Sequence, residues 1–118
     1  MYFSTIVKVV AAEDPTHGIA GIKVALFDRD LVTPDDSLGS GATGEGGEVR
    51  FEYTSDQFVD IDDRVGGVMP DLYVVVYDGE GKVVMTTREH VVPNTPLKRI
   101  TVSVSRALLE QHGLAPTA

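Results

Sequence analysis

The chain has 118 residues and a mass of 12.7 kDa, the size of one ordinary domain. Its residues are 42% hydrophobic and 24% charged, which is globular rather than disordered composition. A formal net charge of -8 argues against nucleic acid as a partner and against anionic lipid without a bridging cation, and the absence of cysteine removes disulfides and thiolate sites.

Apolar residues recur with a period of two and break at Gly, Pro and Asp clusters, which predicts short strands. Phe3 to Val10 is the first, followed by a turn from Glu13 to Gly18. Gly21 opens a second strand, Ile22 to Phe27, with Ile22, Val24 and Leu26 on one face. Asp28 to Gly47 reads as a long polar loop, rich in glycine. In the next strand Val49, Phe51 and Tyr53 alternate with Glu48, Arg50 and Glu52, so one face is buried and the other wet. Thr54 and Gln57 have the spacing of a helix capping box.

Asp71 to Tyr77, β-branched and aromatic, predicts a central strand. Asp78-Gly79-Glu80-Gly81 is a hairpin turn, with Lys82 to Arg88 as the return strand. Pro93 to Pro96 breaks the chain again. The last strand points Ile100, Val102 and Val104 one way and Arg99, Thr101 and Ser103 the other. Ser105 to His112 is the single helical stretch, with Ser105 as N-cap and Gly113 just past its end. The expected fold is all-β: an antiparallel Greek-key β-sandwich of about seven short strands over residues 1–104, with a helical tail over 105–118. No apolar run approaches the ~18 residues of a membrane span. The start Met1-Tyr2-Phe3-Ser4 shows no signal peptide, so the reading is a cytoplasmic protein or one exported by a non-classical route.

The order of elements resembles the transthyretin-like sandwich family. The resemblance rests on the strand Ile6 to Val10, on Gly18 to Phe27, on the Gly-rich stretch from Gly39 to Glu48 with its Gly-x-Thr-x-x-x-Gly pattern, and on Lys98 to Val104. Phe27-Asp28-Arg29-Asp30 through Asp36-Ser37-Leu38-Gly39 is similar to a loop of secreted nematode members. It is also similar to a calcium loop of the phospholipid-binding domains of protein kinase C and synaptotagmin. Asp71-Leu72-Tyr73-Val74 resembles a stretch of those same domains, but it follows the aspartate loop here, whereas theirs precedes it.

Four carboxylates form the candidate metal site: Asp28, Asp30, Asp35 and Asp36. Calcium takes six to eight oxygen ligands, and carboxylates clustered on a loop supply them. Asp28 and Asp30, two apart on a strand end, project to one side, and Asp36 returns to close the site. Asp60, Asp62, Asp63 and Asp71 would add ligands if the fold brought their loops to the same place. The alternative is a solvated acidic turn in which Asp28 caps the loop backbone.

A catalytic site is not expected. The resemblance raises hydroxyisourate hydrolase, whose C-terminal Tyr-Arg-Gly-Ser is replaced here by Ala115-Pro116-Thr117-Ala118. His17 and His90 read as exposed, His112 as a helix-end cation, and no His-carboxylate pair with a nucleophile can be placed. The glycines of Gly39 to Gly47 lack the partners of a phosphate loop and read as turns. Val74-Val75-Val76 is apolar on both faces, so its second face needs cover from a tail, a loop or another subunit. Glu48, Arg50 and Glu52 discourage edge pairing, whereas the first strand, with Lys8 as its one charge, has little such protection.

These features predict a non-enzymatic binding or assembly module that self-associates into an oligomer or filament or joins other protein subunits, with a calcium-stabilised acidic loop. The alternatives are a calcium-dependent lipid- or protein-binding module, a hydroxyisourate hydrolase-type enzyme, and a part of a large bacterial toxin or injection assembly.

Overall fold

The computed structural model describes residues 2–29, 36–54, 71–90, 92–93 and 97–114. These residues form two packed sheets and one short helix. The strands are β1 (Tyr2–Ala11), β2 (Asp14–Gly18), β3 (Lys23–Arg29), β4 (Asp36–Ala42), β5 (Glu48–Thr54), β6 (Asp71–Tyr77), β7 (Val83–Thr86), β8 (Val92–Pro93) and β9 (Leu97–Val104). The helix α1 is Arg106–Gln111.

In the first sheet β1 is flanked by antiparallel β5 and by parallel β9, with β2 extending the β5 side at the far end. The second sheet runs β4-β3-β6-β7, with β8 also on β6. Among the described pairings β1–β9 alone is parallel, and the rest are antiparallel. The all-β sandwich expected from the alternation is therefore what the chain forms.

Alternation decides what fills the space between the sheets. Val7 and Val9 of β1, Val24 and Leu26 of β3, Val74 and Val76 of β6, and Val102 and Val104 of β9 are each 2% exposed or less. Full burial of each such side chain favours folding by about 1.5–3 kcal/mol. Phe51 and Tyr53 of β5 join them, and Tyr53 stacks on Phe3 at 5.6 Å. The tail belongs to this core: Leu109 of α1 is fully buried in it. Ser105 caps the helix by accepting the Leu108 N–H at 3.2 Å. At the other end Gly113 donates to Glu110 and Leu114 to Leu109, the paired bonds that close a helix with glycine just beyond it.

Three expectations are corrected. Residues 14–18 are a strand, although their composition reads as a turn. The stretch read as one polar loop contains β4, whose Gly39 and Gly41 face β5. A methyl group at Gly39 would lie 3.0 Å from the Phe51 ring, and one at Gly41 3.2 Å from Val49. Glycine is what lets the sheets meet there, and glycine is also why no alternation is visible. Third, β1 is not an unprotected edge but the interior strand of its sheet, while the charged β5 and β9 take the edges. The outer face of β6 is covered within the chain, one of the covers expected for it: Val75 and Tyr73 are 8% and 6% exposed, and Tyr73 stacks on Phe27 at 5.4 Å.

The Gly-x-Thr pattern has a structural role. The buried Thr43 hydroxyl donates to the Ile19 carbonyl and accepts the Ile22 N–H at 3.1 Å, tying the β2–β3 connection to the end of β4.

Candidate functional sites

Register gathers aspartates at one pole of the sandwich. Asp28 near the end of β3 is the cross-strand partner of Asp36 at the start of β4. On the other side of β3, Arg29 pairs with Asp71 at the start of β6. Asp28, Asp36 and Asp71 thus lie on three neighbouring strands at one end of the sheet. In sequence, every aspartate except Asp14 and Asp78 falls between Asp28 and Asp36 or between Thr54 and Asp71, these end residues included.

Of the four expected metal ligands, the structure pairs Asp28 and Asp36 through the backbone. Asp30 and Asp35 lie outside the described residues, as do Asp60, Asp62, Asp63 and the capping box at Thr54 to Gln57 beyond its first residue. Among the described residues no three His, Cys, Asp or Glu side chains converge on a metal position.

Asp28 itself is not part of a solvated turn. It follows Val24 and Leu26 on the inward face and is 3% exposed. Its charge reaches Tyr53, whose hydroxyl is 2.9 Å from the Thr5 hydroxyl in the core. Burial raises the Tyr53 phenol above its ordinary 10.0, the Thr5 hydrogen bond opposes that, and the Asp28 charge adds to the rise. A carboxylate, a phenol and a hydroxyl therefore share the apolar interior just beneath the acidic pole.

The opposite pole carries the one His-carboxylate contact between distant segments among the described residues, a pair that the sequence did not reveal. Asp78 follows β6, and His112 caps α1; their Oδ2 and Nδ1 atoms are 2.8 Å apart. The other oxygen of Asp78 accepts the backbone N–H groups of Glu80 and Lys82 at 2.8 and 3.0 Å. The His112 hydrogen bond, then the Lys82 N–H, hold the Asp78 carboxyl below its ordinary 3.8. A cavity of about 500 Å³ opens beside them, lined by Gly79, Glu80, Lys82, Gln111 and Leu114. The pair fastens the helix to the β6–β7 turn. His17 is half exposed and pairs with Asp14 at 2.6 Å, and His90 falls in a 3-10 turn, Arg88–His90.

The fold and its poles define a two-sheet β-sandwich with an aspartate-rich end. No protein-family description matches this chain, and no curated protein does. Among solved structures it is similar to a 9R-lipoxygenase from Cyanothece PCC8801, with 21% identity and a TM-score of 0.52, over 87% of this chain and 16% of that one. It is also similar to the major plantain pollen allergen Pla l 1, with 12% identity and a TM-score of 0.43, over 88% of this chain and 98% of that one. The likeness to the lipoxygenase is one of fold, and the chain spans about 16% of that enzyme's length.

Proposed function

We propose that this protein is a non-enzymatic β-sandwich binding module of the transthyretin-like kind, whose recognition surface is the aspartate-rich pole. The observation that carries this reading is the register that sets Asp28, Asp36 and Asp71 on adjacent strands at one end. Loops issuing from one end of a rigid sandwich are the usual place for binding residues. Calcium, a hard cation that takes oxygen ligands, is the partner that such a pole favours, with Asp30, Asp35 and Asp36 as its first candidates. The similarity to a small share of a lipoxygenase chain supports a modular role for a sandwich of this shape.

Melting the full chain in EDTA and in calcium tests the proposal. Calcium at about 100 times its Kd stabilises a native-only site by about 2.7 kcal/mol. Asp36→Asn with Asp30→Asn removes most of that gain. An unchanged melting temperature across a calcium series removes the cation from the proposal. The self-association expected from the sequence is tested separately, by light scattering over a concentration series, and a constant monomer mass removes it.

A further inference from the structure

The outer face of the first sheet reverses the sign of the molecule. Ile6 of β1 is the cross-strand partner of Arg50 on β5 and of Arg99 on β9, so one isoleucine stands between two arginines. Strands are about 4.8 Å apart, which puts the two arginine stems roughly 10 Å from each other. Ser4 and Lys98 complete a depression of about 270 Å³ around this rung. The chain carries a net charge of -8, yet on this face Lys8, Arg50 and Arg99 outnumber Glu48 and Glu52.

These cations keep unused donors. A guanidinium has five N–H groups. Arg99 meets Glu48 through one nitrogen at 3.0 Å, and Arg50 reaches Glu52 at 4.0 Å, with both arginine side chains more than half exposed. The Ser4 hydroxyl is closed to solvent and has no hydrogen-bond partner among the described residues. A buried hydroxyl in that state marks a place where a water or a ligand oxygen belongs.

We propose that this depression binds a phosphate monoester. One guanidinium satisfies a carboxylate, whereas two guanidinium forks match the terminal oxygens and the double charge of a phosphate monoester. Ile6, at the centre of the rung, seats the carbon next to the ester oxygen. The volume lies just below the range of about 300–1,000 Å³ for drug-sized ligands, so the occupant is small. The negative charge elsewhere repels a polyanion, while screening over about 8 Å leaves a single phosphate little affected.

Phenyl phosphate is the probe, titrated into the full chain at low salt and followed by heat and by backbone amide shifts. The expected result is saturable binding with shifts centred on Ile6, Arg50, Lys98 and Arg99, and affinity for acetate at least about tenfold lower. The double variant Arg50→Gln, Arg99→Gln changes two exposed side chains, so it keeps its melting temperature and loses at least about tenfold in affinity. Phosphatidylcholine vesicles with and without phosphatidic acid distinguish the source. Co-sedimentation that the double variant loses assigns a lipid headgroup, and phenyl phosphate binding without co-sedimentation assigns a free phosphate ester. The proposal is overturned by an absence of saturable phenyl phosphate binding, by shifts centred elsewhere, or by undiminished binding in the double variant.

Discussion

His112 Nδ1 lies 2.8 Å from Asp78 Oδ2, a contact that joins the last turn of the chain's helix to the turn between β6 and β7. The two residues are 34 apart in sequence, and the Asp78 side chain is 6% exposed. Asp78 thereby accepts three hydrogen bonds, two from the backbone of its own turn and one from the helix cap. It is a lock between the tail and the sandwich, and it titrates.

The sign of that titration follows from the depressed carboxyl. Because Asp78 ionises more readily in the folded state than in the unfolded one, its contribution is present above its ordinary 3.8 and disappears as pH falls through the lower folded value. Thermal melts across the acid range will show a wild-type stability loss below pH 4 that Asp78→Asn reduces. His112→Ala lowers stability at neutral pH and also flattens the acid limb, because the largest cause of the depressed carboxyl is gone. Equal acid limbs in all three proteins would refute the lock.

Tyr53 and Thr5 form a buried pair whose hydroxyls are 2.9 Å apart. Tyr53→Phe leaves the Thr5 hydroxyl buried without that partner and costs about 1–3 kcal/mol. Adding Thr5→Val to it recovers part of the loss, because no orphaned hydroxyl remains; denaturant melts of the two singles and the double measure this coupling. Tyr53 also has a raised phenol, so its stabilising effect is intact below pH 10.0 and fades as pH climbs toward the higher folded value. In an ultraviolet titration of the folded protein the Tyr53 phenol will ionise above 10.0.

Gly46 and Gly47 provide a paired test of backbone against packing. Both have positive φ, 82° and 80°. A methyl group on Gly46 meets nothing within 4 Å, whereas one on Gly47 lies 2.6 Å from the Val9 carbonyl oxygen. Gly46→Ala therefore costs the conformational strain alone, about 1 kcal/mol. Gly47→Ala adds a clash with backbone that cannot move without disturbing β1, and its loss will be clearly larger. Equal midpoints in urea would show that the approach of the 45–47 turn to β1 is softer than its geometry implies.

Much of this architecture is already written in the order of residues. Alternate side chains of a strand face opposite ways, so Val49, Phe51 and Tyr53, or Ile100, Val102 and Val104, announce both a strand and its buried side. Ser105 and Gly113 mark the helix because capping is local chemistry between a side chain and the nearest few amides. The aspartates of the acidic pole are visible as residue types for the same reason. Three-dimensional packing decided the rest. β4 is a strand because Phe51 and Val49 fill the space above its glycines, and a glycine has no side chain with which to show which way it faces. The first strand became interior when β9, whose residues pair with it 93 positions away, as Lys8 does with Thr101, aligned beside it. Asp28 turned inward toward Tyr53, His112 met Asp78, and Arg50 met Arg99 across Ile6, each through contacts between residues far apart along the chain. Periodicity reports which side of a strand is dry; which strand lies alongside, and what the opposing sheet brings to meet it, are settled only when the chain closes on itself.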